Sequence, residues 1–129
     1  MTPQAQEEIR HLFAQRDDIN KRLNDLMKSA ALGEIEDYRL YGPNGETVAL
    51  SDLFGDKTDL IVIQNMGRSC RYCTMWADGF MGVKHHLENR TAFALVSPDP
   101  PPEQQAFAKS RSWTFRMLSS RGTAFKRDL

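Results

Sequence analysis

Apolar residues recur at helical spacing from the start of the chain: Ile9, Leu12, Phe13, Ile19, Leu23, Leu26 and Met27 follow Thr2 and Pro3, a capping residue and a proline suited to a first helical position. The spacing predicts one long amphipathic helix from residue 3 to about residue 29. Its stripe is close to a heptad repeat, which fits either a partner-binding or dimerising arm or a helix packed on its own domain. Next, "DYRLYGPNGETVALSDLFGDKTDLIVIQNM" reads as two short strands joined by the "GPNG" turn, a helical turn capped by Ser51, and a strand from Leu60 to Asn65. The unbroken "LIVI" run predicts that this last strand is central and covered on both faces. Trp76, Phe80, Val83 and Leu87 then place one apolar stripe along a helix ending near Asn89, with Gly79 and Gly82 marking a kink.

A second buried strand follows in "TAFALVS", closing a strand, helix, strand unit with a right-handed crossover and parallel strands. "PDPPP" cannot continue it, Pro102 opens a short helix through about Ser110, and "TFRML" alternates as a further strand. The order predicts an α/β fold. Residues 1–35 are read as the helix and a linker, and residues 36–129 as the α/β domain.

Composition narrows the function classes. The start has no secretory-type apolar stretch, and apolar runs such as Leu60 to Ile63 are far too short to cross a bilayer, so a cytoplasmic protein without a membrane partner is expected. Charge balances overall at 17 basic and 17 acidic residues, but unevenly: residues 1–59 hold 12 acidic and 7 basic side chains, residues 103–129 hold 2 and 6. The basic end contains no nucleic-acid-binding motif and the acidic half can face it, so no nucleic-acid partner is expected.

The chemistry-bearing feature is "SCRYC", which holds both cysteines of the chain, Cys70 and Cys73. In a reducing cytosol such a pair is more often catalytic, redox-sensing or metal-binding than structural. Cys70 falls at or just before a helix start and Cys73 one turn in, a Cα rise of ~4.5 Å that lies within disulfide reach. Helix-end N–H groups, with Arg68 and Arg71 nearby, favour thiolate at Cys70. Cys70 is therefore expected to attack and Cys73, more shielded, to resolve the mixed disulfide. A zinc site using Cys70, Cys73, His85 and His86 is not expected: the histidines are adjacent, and twelve helical residues from Cys73 span ~18 Å. No cofactor and no metal are called for.

Together "GETVALSDLFGDKTDLIVIQNM", "SCRYCTMWADGF" and "FALVSPDPPPEQQAFAKSRSWTFRMLSS" resemble a bacterial thioredoxin-like family of unknown function, distantly similar to the peroxiredoxins, over roughly residues 36–127. The resemblance implies a thioredoxin-like fold, a central mixed sheet flanked by helices, and a dithiol–disulfide oxidoreductase acting on protein or small-molecule thiols and disulfides. Departures bear on mechanism. Ser69 and Gln64 stand where thioredoxins commonly have a Trp and a buried Asp, and Gln64 cannot act as a base. Ile63 and Gly67 stand where peroxiredoxins resemble one another through a Pro and a Thr or Ser before an attacking cysteine, so peroxidase activity is not expected. The family also continues into a strand hairpin with a cis-proline and a closing helix, so the C-terminal end is expected to be incomplete and a homodimer to cover the open sheet edge. A non-catalytic interaction or dimerisation module, or a cytosolic redox sensor, is the alternative function on the same fold.

Overall fold

A computed structural model describes residues 1–30 and 33–129; residues 31 and 32 of the expected linker lie outside the described residues. The chain divides into two units, Met1–Ile35 and Glu36–Leu129. The first is built on helix α1 (Pro3–Ser29), which starts as its sequence predicts, with the Thr2 hydroxyl accepting the Ala5 N–H at 3.2 Å and Pro3 in the first turn. Its apolar stripe, from Ile9 through Met27, is exposed.

The second unit opens with strands β1 (Arg39–Tyr41) and β2 (Thr47–Ala49), an antiparallel hairpin. Its turn is closed by the Gly42 N–H donating to the Glu46 carbonyl at 2.7 Å, with Gly45 at a φ of 77° that suits glycine. A single 3-10 turn follows at Leu50–Phe54, and Ser51 does not cap it. Instead the Ser51 N–H and hydroxyl each donate to the Asp37 carboxylate at 2.8 Å, tying the turn back to the start of the unit. Then come β3 (Leu60–Gln64), α2 (Arg71–Arg90), β4 (Ala92–Ser97), α3 (Pro101–Ser110), β5 (Arg116–Ser119) and a short α4 (Phe125–Asp128).

The five strands form one mixed sheet in the order β2-β1-β5-β4-β3, with β3, β4 and β5 parallel and β1 antiparallel to β5. The "LIVI" strand, expected at the centre, is therefore at the margin and only half-buried. The central places go to β4 and β5, because β5 adds beside β4 and carries the hairpin on its far side. Strand alternation divides the apolar residues of β4 between two cores. Phe93 and Leu95 pack with Ala77 of α2, Ala108 of α3, Phe115 and Met117. Ala94 and Val96 pack on the opposite face with Leu40, Leu50, Leu53, Leu118 and Phe125.

Two further expectations change. Helix α2 runs unbroken through Gly79 and Gly82, and its buried side is Ala77 with the half-buried Phe80, Met81 and Leu87, while Trp76 and Val83 are exposed. An apolar stripe drawn through Trp76 is rotated from the one the sheet selects, because the sheet admits the small Ala77 closest. The end of the chain, in which no element was predicted, forms α4 and buries Phe125 to 1 % exposure against Tyr38, ring to ring at 5.5 Å. Loss of such a buried ring costs about 3–5 kcal/mol. Among the described residues no helix is long and apolar enough to cross a membrane.

Candidate active site

The C-terminal ends of β3 and β4 face the start of α2, and four short segments meet there: residues 65–70, the first turn of α2, residues 98–100 and the end of β5. Where β3 ends, the Asn65 N–H still donates to the Val96 carbonyl at 2.8 Å, so the loop leaves the sheet only after Asn65. The buried Asn65 then turns the chain: its Oδ1 accepts the Gly67 N–H at 2.8 Å, and its Nδ2 donates to the Cys73 carbonyl at 3.4 Å. Gly67 has a φ of 108°, and a Cβ there would meet the Asp99 carboxylate at 3.1 Å, so the position calls for glycine on two counts. The same carboxylate accepts the Arg68 N–H at 2.8 Å, and the Asp99 carbonyl accepts the Ser119 hydroxyl at 2.6 Å. Asp99 thereby fastens the dithiol loop to the ends of β4 and β5.

Cys70 occupies the N-cap of α2, the place the spacing indicated. Its Sγ accepts the Cys73 N–H at 3.2 Å, and its carbonyl accepts both the N–H and the hydroxyl of Thr74 at 3.0 Å. A sulfur at this position does what a Ser or Asp oxygen does at other helix starts, accepting one of the unpaired N–H groups. Both thiols are half-buried and unbridged. Their acidities move apart. The Cys73 thiol, then the Cys73 N–H, hold the Cys70 thiol below its ordinary pKa, with burial opposing and the Tyr72 N–H adding to the effect. Burial pushes the Cys73 thiol up, and its hydrogen bond to Cys70 pushes it further, against the Met66 N–H that donates to its Sγ at 3.5 Å. Of the two arginines expected to favour thiolate, Arg68 has another engagement, reaching Glu103 at 3.1 Å.

His85 and His86 are exposed near the far end of the unbroken α2, and a continuous helix keeps them ~18 Å along its axis from Cys73, so the four residues do not converge on one ion. Gln64 is exposed at the end of β3. Tyr72 and Trp76 are 77 % and 63 % exposed, and so flank the dithiol as surface, not as packing. Asn65 and Asp99 carried no motif in the sequence. An Asx residue two positions before a glycine is the local sign of such a turn, whereas Asp99, 31 residues from Arg68, had none.

On one side of α2, Arg71, Met75 and Asp78 line a cleft whose other wall is Phe107 and Arg111 at the end of α3. Asp78 accepts from the Arg111 Nε at 2.9 Å, from its Nη2, and from the Trp113 indole N–H at 2.8 Å. The Arg111 guanidinium first, and the indole with it, hold the Asp78 carboxyl below the usual carboxylate range against the opposing effect of burial.

Solved structures share this architecture. Peroxidoxin BcpB from Mycobacterium tuberculosis superposes with a TM-score of 0.58 at 23 % identity, over 67 % of this chain and 56 % of that one. A peroxiredoxin-like protein from Aquifex aeolicus gives a TM-score of 0.51 at 16 % identity, over 70 % and 54 %. BsSco, a member of the Sco family of cytochrome c oxidase assembly proteins in which a disulfide switch was identified, gives 0.51 at 17 %, over 74 % and 60 %. The fold is thioredoxin-like, and the chain spans less than two thirds of the length of each of these proteins. No curated protein sequence matches it. The family described as "Bacterial protein of unknown function (DUF899)" matches residues 5–129.

Proposed function

The chain belongs to the bacterial family DUF899, and from that premise we propose that it is a thiol–disulfide oxidoreductase in which Cys70 attacks and Cys73 resolves. The observation that carries this reading is the Cys70 sulfur at the α2 N-cap, accepting the Cys73 N–H at 3.2 Å with its acidity raised while that of Cys73 is lowered. The Cys70 thiolate attacks one sulfur of a disulfide, the S–S bond breaks, and the leaving thiolate takes a proton. Cys73 then loses its proton, attacks the Cys70 sulfur and releases the second thiol, so that two electrons pass from the dithiol to the substrate. Cys73 is the later nucleophile because its higher pKa keeps it protonated until Cys70 is occupied. Redox-active neighbours of the same fold support the assignment. Peroxide reduction is left out of it, since Gly67 brings no hydroxyl to the place where peroxiredoxins have one.

Equilibration of the purified protein in glutathione redox buffers, with thiols counted by alkylation and mass, tests the proposal. One two-electron transition between two free thiols and none is expected. Two free thiols persisting in folded protein under strong oxidant would remove it.

The exposed stripe of α1 favours one addition. Ile9, Leu12, Ile19, Leu23 and Leu26 follow one another at steps of three, seven, four and three, a heptad-like seam along a 27-residue helix. We propose that a second copy of this chain pairs along it, giving a homodimer. Light scattering at micromolar concentration is expected to show twice the chain mass, and Leu23→Asp to halve it; a monomeric full chain refutes the pairing.

A further inference from the structure

A cleft of about 350 Å³ starts at Arg71 and Thr74, in the turn that follows the Cys70 N-cap, and follows one face of α2, with Arg71, Met75 and Asp78 at the spacing of successive turns. Three guanidiniums line it, from Arg68, Arg71 and Arg111, against one carboxylate, Asp78. Two of the three are engaged: Arg111 by Asp78 through two hydrogen bonds, Arg68 by Glu103 at 3.1 Å. Arg71 has no carboxylate partner among the described residues. It is the residue next to Cys70 and the first of α2, so its charge adds to the positive end of the helix. Met75 and Phe107 provide apolar walls to the same cleft. A low-molecular-weight ligand with an apolar body and an anionic group near its sulfur meets each of these features; a neutral or cationic one leaves Arg71 unanswered.

Resting on the oxidoreductase reading above, we infer that the substrates are small disulfides of carboxylate-bearing thiols, seated in this cleft with the carboxylate on Arg71 and a sulfur presented to Cys70. The reaction is the exchange already written: the substrate S–S bond breaks, two thiols leave, and the Cys70–Cys73 disulfide forms. A guanidinium holds a carboxylate through paired N–H donors, which orients the ligand as well as attracting it. The same charge that binds the disulfide also concentrates it at the cleft, and salt weakens that attraction.

Single-turnover kinetics of the reduced full chain with two probes separate the possibilities. One probe is dithiobis-nitrobenzoate, which carries a carboxylate on each half; the other is dithiodipyridine, which is neutral at the pH of the assay. The quantity read is the ratio of the anionic-probe rate to the neutral-probe rate, so that any change in Cys70 nucleophilicity divides out. The ratio is expected to fall about tenfold in Arg71→Ala, further in Arg71→Glu, and to be largely kept in Arg71→Lys. Added salt is expected to lower the ratio in the wild type and to have little effect on it in Arg71→Ala. Equal ratios in all four proteins would overturn the inference while leaving the dithiol chemistry standing. A wild type whose thiols react with neither probe would overturn both.

Discussion

On the Cys70 side of α2, the first turn opens toward a cleft walled by arginines; on the Cys73 side, the backbone of Met66 and the amide of Asn65 close over the sulfur and its carbonyl. The two residues are of one kind and one helical turn apart, yet one thiol is made more acidic and the other less. Residue type therefore does not set the roles. The N-cap sulfur receives a helix N–H that has no other acceptor, and a sulfur three residues further in meets burial and a neighbouring thiolate instead.

The largest expected effect comes from removing one sulfur at a time. Cys70→Ser is expected to abolish disulfide exchange, whereas Cys73→Ser is expected to leave a protein that accumulates a mixed disulfide, visible as added mass on incubation with a small disulfide. The opposite pattern would exchange the roles. A smaller contrast is expected in the reduced wild type: at neutral pH an alkylating reagent labels Cys70 several-fold faster than Cys73, and the Cys70 rate rises through a midpoint below the ordinary thiol pKa. Peptide mapping after brief labelling reads this directly, and equal labelling would mean that the helix start does not distinguish the thiols.

Asn65 is what closes the Cys73 side. Asn65→Ala leaves the buried Gly67 N–H without its acceptor and removes the side-chain donor to the Cys73 carbonyl, an expected loss of about 1–3 kcal/mol by denaturant unfolding, together with faster Cys73 labelling. Asn65→Asp keeps the acceptor for Gly67 and is expected to cost less. Unchanged Cys73 labelling in Asn65→Ala would show that the closure depends on the backbone alone.

The smallest effect belongs to the cleft wall. Asp78 has a folded-state pKa below its unfolded one, so its pairing with Arg111 stabilises the protein above the ordinary carboxylate pKa, and that contribution is lost as pH falls through the folded value. Because the side chains of both partners are more than a third exposed, at 39 % and 37 %, solvent screens the pair and the gain is small. Asp78→Asn retains an oxygen for the Trp113 indole but loses the ion pair, so its melting temperature is expected to lie slightly below that of the wild type at neutral pH and to converge with it in acid. A gap that widens in acid would assign the depression of the Asp78 pKa to the wrong partner.

Legibility differed between the dithiol and its supports. A cysteine pair at a strand end followed by an apolar period of 3.6 is a local arrangement, and α2 begins at Arg71 with Cys70 as its cap, as the spacing implied. The Asn65 side chain reaches only to Gly67 and Cys73, within eight residues, and its turn has a local sign. Asp99 and Arg111 act across 31 and 33 residues of sequence, and no period or spacing connects positions so far apart.

What the sequence determined by itself is therefore the set of elements whose causes are local: α1 with its Thr2 and Pro3 start, the β1–β2 hairpin, the parallel β3–α2–β4 unit, and the pair Cys70 and Cys73 at a helix start. Tertiary structure decided the rest. The "LIVI" run reads as central because it is apolar on both faces, but a run of residues says nothing of which strands lie beside it, and the addition of β5 to β4 left β3 at the margin. The choice of Ala77 over Trp76 as the buried residue of α2 was made by the distance at which a helix can approach a sheet. Phe125 follows the same reasoning: a lone aromatic in a polar stretch has no periodicity to announce it, and only the second face of the sheet, lined by Leu40, Val96 and Leu118, gives it a place to be buried.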